Sequence, residues 1–194
     1  MIIENRADYV KSLAEVRFLP GVLPALARAA RLNGRLVVVT NQSAIGRGLL
    51  TRAAAEAINA DIARQVAAAG GRLDGLYLCP HLPEAGCNCR KPAPGLLQQA
   101  AAALGIDLSA SVMIGDAVTD IQAGRAAGAR AMLVRTGRGE QQAVELARAG
   151  LADVPIVADL DAALRRLAAD PAWFAKTPPV GGGVSQPDRR DILP

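Results

Sequence analysis

Apolar and polar positions alternate in two periods along the first 169 residues. Short β-branched or aliphatic runs are separated by Ala- and Leu-rich stretches of helical period. Residues 35–39 (RLVVV) form a near-continuous apolar run, the pattern of a strand buried on both faces. Further strands are expected over 73–78, 111–114, 130–134 and 155–158. Helices are expected over 21–33, closed by Gly34, and from Thr51 as N-cap to the Gly70-Gly71 pair. Others are expected over 94–104, 118–127, 140–149 and 160–168. Strands alternating with helices predict an α/β fold, a three-layer, Rossmann-like, doubly wound parallel sheet. Residues 1–169 are read as one domain. From Asp170 onward Pro and Gly accumulate without a period, so 170–194 is expected to be a disordered tail, with Trp173 and Phe174 pinning its beginning.

Composition narrows the function classes. Of the 194 residues, 51% are hydrophobic and 3% aromatic, so the core must be aliphatic. The formal charge is +4, with the basic residues scattered and not interleaved with aromatics, which argues against nucleic acid and leaves room for a small anionic substrate. No apolar run is long enough to span a membrane, and MIIENRADYV has no secretory h-region. Three Cys and the absence of an export signal point to a reducing cytoplasm rather than a disulfide scaffold. A monomer is expected.

Four groups of residues carry chemistry. Cys79, His81, Cys87 and Cys89 bring every Cys and the only His into 11 residues, a ligand set that suits a closed, structural tetrahedral Zn²⁺ site; the alternative is three buried thiols and a surface His. Thr40, Asn41, Gln42 and Ser43 end a buried strand, where open α/β sheets bind ligands. Asp116 and Asp120 come after another strand and Gly115. They read either as a hard-cation site or as helix-start carboxylates. Arg90 and Lys91 come directly after the last sulfur ligand, either as an anion-binding pair or as an ordinary solvated one.

Taken together, FLPGV (residues 18–22), VVVTNQS (37–43), CPH (79–81), CNCRKPAPG (87–95) and IGDAVTDIQAG (114–124) resemble the haloacid-dehalogenase-type phosphatases. The resemblance is to their capless zinc-loop group, which comprises the D-glycero-D-manno-heptose-1,7-bisphosphate 7-phosphatases and the histidinol-phosphate phosphatases. It spans residues 2–137. It implies Mg²⁺-dependent hydrolysis of a small sugar phosphate, with the heptose bisphosphate favoured over histidinol phosphate. Thr40 and Lys91 would act on the transferring phosphoryl group, while Asn41, Gln42, Ser43 and Arg90 would contact the substrate. Asp116 would hold Mg²⁺ supported by Asp120, and the Cys/His loop would hold Zn²⁺.

The chain also departs from that family. These phosphatases open on a central strand ending D-x-D-G, whose first Asp is the nucleophile and whose second is the general acid/base. Residues 2–10 resemble the family's segment just after that motif, so these 194 residues are expected to lack the nucleophile and the central strand, and to be inactive alone. A late-assigned start and a non-catalytic, zinc-braced phosphate-binding remnant are the two explanations. Asp159-Leu160-Asp161 has the right spacing but opens a helix, so it reads as capping. Ala117 comes after Asp116 where the heptose enzymes usually carry Lys, removing a cation from a site expected to handle two phosphates.

Overall fold

The computed structural model describes residues 2–175. In chain order the main elements are α1 (Val22–Ala29), β1 (Val37–Asn41), α2 (Ser43–Gly46), α3 (Arg52–Ala68), β2 (Gly75–Cys79) and α4 (Gly95–Leu104). They continue with β3 (Val112–Gly115), α5 (Val118–Ala126), β4 (Arg130–Val134), α6 (Gly139–Arg148), β5 (Ile156–Val157) and α7 (Leu160–Ala169). Every expected strand and helix is present. The short α2 was not anticipated: its Ser-Ala-Ile-Gly sequence is too short to show a period.

All strand pairs are parallel, as buried apolar strands joined by helices require. The side-chain alternation of β4 defines the layers. Ala131 and Leu133 pack with Ile121 of α5 and Leu146 of α6, whereas Met132 and Val134 pack with Ala163 and Leu167 of α7. In β1, Val37 and Val39 face Leu96 of α4. Leu36, just before β1, joins the cluster built by α1 and α3.

The sheet is in two halves. β1 pairs with β2, while β3 pairs with β4 and β4 with β5; among the described residues no ladder joins β1 to β3. The expectation of a sheet without its central strand is therefore met by an open cleft of about 1560 Å³ between the halves, lined by residues of both β1 and β3. Its cost shows in burial. The last four residues of β4 are buried, whereas β1 and β3 have one buried residue each.

Local signals set the element ends. Thr51 Oγ1 accepts the Ala54 N–H at 3.1 Å, the expected N-cap. Asp159 Oδ1 accepts the Ala162 N–H at 2.8 Å, and Asp161 pairs with Arg165 at 2.7 Å, so this D-x-D caps and braces α7 as expected. The first helix differs: it stops at Ala29 rather than near Asn33. The reason is distant in sequence. Arg72 donates to the carbonyls of Ala30, Leu32 and Gly34, drawing the chain out of helix. The tail expectation for 176–194 lies outside the described residues. Its start is pinned by Trp173, which packs on the α7 cluster with the Arg166 guanidinium 5.4 Å from its ring, while Phe174 is exposed.

Asp74 fastens the entry to β1. It accepts the Leu36 N–H at 2.7 Å and Arg72 Nε at 3.1 Å. Burial alone would raise its pKa, but the Leu36 N–H and the Arg72 and Arg35 guanidiniums outweigh it and hold the carboxyl below its ordinary value. A depressed native pKa stabilises the fold above the unfolded value of about 3.9, and that contribution is lost as pH falls through the native one. Asp74→Asn is therefore expected to melt lower than wild type near neutrality and to lose less stability on acidification below about pH 4. Urea melts at neutral and acid pH check this, and parallel acid losses in both proteins would overturn it.

Candidate active site

Strand β1 and the helix after β3 are joined by one side chain. Lys91 is 12% exposed, and its Nζ donates to the Val39 carbonyl of β1 at 2.9 Å. It also pairs with Asp120 Oδ1 of α5 at 2.7 Å. An ammonium has three donors, so one N–H remains for a ligand. Asp120 has a double engagement: its Oδ2 accepts the backbone N–H groups of Asp116 and Ala117, each at 3.1 Å. Gly115 permits this, because a Cβ there would strike the Asp120 side chain.

Asp116 is 3% exposed but does not cap α5, whose N-cap position is Ala117. Its Oδ2 instead accepts the Arg138 N–H at 2.9 Å, with Arg138 Nε at 3.7 Å. Its Oδ1 has no partner among the described residues. A buried carboxylate with one oxygen oriented and the other free is a fitting hard ligand for Mg²⁺. Asp120 has both oxygens committed, one to Lys91 and the other to the two N–H groups.

The residues after β1 divide by role. Thr40 lines the cleft, and its hydroxyl has no partner among the described residues. Gln42 lines it too, its backbone N–H held by the Cys79 carbonyl at 2.7 Å. Asn41 and Ser43, expected to touch substrate, hold other site residues. The Asn41 amide grips the Lys91 backbone in both directions, Nδ2 to O and N to Oδ1, each at 3.1 Å. The Ser43 hydroxyl accepts Arg90 Nη1 at 2.9 Å, and the same nitrogen donates to the His81 carbonyl at 3.1 Å. Among the described residues the Arg90 guanidinium thus meets only neutral partners, and its charge is uncompensated.

Cys79, His81, Cys87 and Cys89 come together, their ligand atoms all within 4.8 Å of one another. The Cys79 and Cys89 sulfurs are 3.1 Å apart, Cys79 and Cys87 3.6 Å, and Cys87 and Cys89 3.5 Å. His81 Nδ1 lies 3.5 Å from Cys79 and 3.2 Å from Cys89. A tetrahedron with Zn–S of about 2.3 Å has edges of about 3.8 Å, so these separations are close to what zinc requires. Their electrostatics point the same way. Burial pushes the Cys89 thiol up to about 12, reinforced by its Cys79 and Cys87 neighbours. At Cys87 burial is outweighed by hydrogen bonds from Cys89, Cys79 and backbone N–H groups, which pull it to about 7. A cation at the centre of the four ligand atoms would favour the thiolate forms that this crowding opposes.

Two residues of this neighbourhood carried no clear signal in the sequence. Tyr9 lines the cleft at φ 67°, uncommon for a non-glycine residue, and its hydroxyl accepts Arg47 Nε at 3.0 Å. Arg138 sits on the loop after β4, where a Gly-Arg-Gly stretch beyond a strand's carboxyl end was the available clue.

Comparison with known proteins agrees with this geometry. The family model described as haloacid dehalogenase-like hydrolase matches residues 2–128, and a HAD-hydrolase-like model matches 88–171. The chain is 41% identical over 132 residues to the D-glycero-beta-D-manno-heptose-1,7-bisphosphate 7-phosphatase of Pseudomonas aeruginosa, covering 68% of this chain and 74% of that relative. It is 39% identical over 151 residues to the protein of the same name from Bordetella bronchiseptica, covering 77% and 83%. Among solved structures, the D,D-heptose 1,7-bisphosphate phosphatase of B. bronchiseptica, complexed with magnesium and phosphate, is similar with a TM-score of 0.80 at 36% identity, covering 87% of this chain and 93% of that one. The Burkholderia thailandensis phosphatase gives a TM-score of 0.64 at 34% identity, covering 85% and 96%.

Proposed function

The chain belongs to the haloacid dehalogenase-like hydrolase family, and from that premise we propose that it serves the Mg²⁺-dependent hydrolysis of D-glycero-D-manno-heptose 1,7-bisphosphate at the 7-phosphate. The observation that carries this is the convergence of Lys91, Asp116 and Thr40 on one rim, beside a zinc-type loop that delivers Arg90. Thr40 hydrogen-bonds the transferring phosphoryl group, and Lys91 neutralises its developing charge with its remaining N–H. Asn41 fixes Lys91, Ser43 aims Arg90 at the rest of the substrate, and Gln42 borders it. Asp116 would hold Mg²⁺ through its free oxygen, and the chemistry supplied there would be neutralisation of phosphoryl charge. Zn²⁺ braces the loop and, with four protein ligands, takes no part in chemistry.

Among the described residues no Asp is free to act as nucleophile at this rim. Asp116 has one oxygen held by the Arg138 N–H and the other assigned to Mg²⁺, Asp120 has both oxygens committed, and Asp159 and Asp161 cap and brace α7. Residues 1–194 by themselves are therefore proposed to be inactive. Among the described residues no helix is long and apolar enough to cross a membrane. A cytoplasmic monomer acting on a small phosphorylated substrate is the form proposed, and sedimentation checks its mass.

The substrate is tested by competition. Heptose 1,7-bisphosphate is expected to displace a bound phosphate analogue from the zinc- and Mg²⁺-loaded protein at lower concentration than histidinol phosphate does. The reverse order would favour histidinol-phosphate hydrolysis, and no displacement by either would overturn the reading.

A further inference from the structure

A bisphosphate brings two dianions, and the cleft must answer both with cations. Among the described residues that line it, Lys91 is neutralised by Asp120. Arg6 pairs with Asp8 at 3.3 Å, and Arg35 pairs with Asp74 at 3.3 Å beside the amino end of β1. Arg90 is free in charge and belongs to the zinc-loop half. The remaining cation is Arg138, on the opposite half-sheet. Its side chain is 52% exposed, and its Nε stands 3.7 Å from Asp116 Oδ2, beyond hydrogen-bond distance.

The backbone presents Arg138 deliberately. Gly137, directly before it, takes φ 70°, a left-handed turn that favours glycine. Gly139 is buried, and a Cβ there would run into the Val134 carbonyl oxygen. Only glycine lets α6 begin this close to the end of β4. The Gln142 carboxamide of α6 then accepts the Val118 N–H at 3.1 Å, locking this loop to the start of α5. The result is a guanidinium hung beside Asp116, where Ala117 offers no charge of its own.

We propose that Arg138 is a specificity-determining residue that takes the phosphate group not being transferred. This rests on the bisphosphate reading above. A guanidinium pairs with phosphate through two parallel N–H donors, a fork that its long contact with Asp116 leaves available. Two functions separate cleanly within the one residue. The backbone N–H holds Asp116, and the side chain reads the substrate.

Arg138→Ala keeps the backbone N–H and removes only the side chain, so it isolates the second function. The test is calorimetric binding, in Mg²⁺, of heptose 1,7-bisphosphate and of heptose 7-phosphate to the zinc-loaded 194-residue chain. Wild type is expected to prefer the bisphosphate, and Arg138→Ala to cut that preference at least about tenfold, the loss expected for one charge-assisted pair. Arg138→Lys is expected to restore part of it. An unchanged preference, or equal weakening toward both sugars, overturns the assignment and returns Arg138 to a supporting role at Asp116. Failure of wild type to bind either sugar overturns it together with the substrate reading.

Discussion

Residues 1–194 alone are expected to release no phosphate from heptose 1,7-bisphosphate above background. A polypeptide extended upstream by about ten residues, roughly 33 Å of strand ending in D-x-D-G, is expected to turn over with Mg²⁺. The physical basis is the cleft between β1 and β3. Among the described residues each strand has a ladder on one side only, and the rim already holds Thr40, Lys91 and Asp116. A strand placed there would pair both open edges, and polar backbone groups left unpaired in a buried setting cost about 1–3 kcal/mol each. The extended protein is therefore also expected to melt well above the short one.

Within the extended protein, Asp116→Asn and Lys91→Ala are each expected to lower kcat/KM by about a hundredfold or more. Lys91→Ala carries a second effect, because it strands the buried Asp120 charge and so destabilises the fold. The pair Lys91→Met with Asp120→Asn is expected to recover stability but not activity, which separates folding from chemistry. Steady-state phosphate release and thermal melts read both. Robust turnover by the short chain, or equal melting of the two lengths, would show that the nucleophile has been misplaced.

Zinc removal is expected to have the second large effect. The purified, reduced protein should hold about one equivalent of zinc, as a closed four-ligand site does. Chelation or Cys87→Ser is expected to lower the melting temperature by at least about 10 °C, the equivalent of roughly 3 kcal/mol or more at this length. The loss should reach the phosphate site, because Arg90 and Lys91 come directly after Cys89. Arg90 is held by Ser43 and the His81 carbonyl, and Lys91 by Asn41, so a loosened loop moves both cations off the β1 rim. Metal analysis and proteolysis near residue 90 check this. Full stability in demonstrably zinc-free protein would overturn it.

Much of this was written in local pattern. The strand 130–134 and the caps at Thr51 and Asp159 arise from period and hydrogen-bonding side chains a few residues apart. The Cys/His cluster was legible for the same reason: four candidate ligands within 11 residues can meet through one loop without help from the rest of the fold. Partnerships across long separations stayed hidden. Asn41 with Lys91, Ser43 with Arg90 and Arg138 with Asp116 join residues 22 to 50 positions apart. No period encodes such pairs; they arise because packed helices bring the carboxyl ends of β1, β3 and β4 to one rim. The same holds for the premature end of α1, where distant Arg72 collects the carbonyls of Ala30, Leu32 and Gly34 just beyond the helix. Asp120 shows both levels at once. Its place in the first turn of α5 was local, but only tertiary packing gave it Lys91, because an ion pair forms where two charges are buried together.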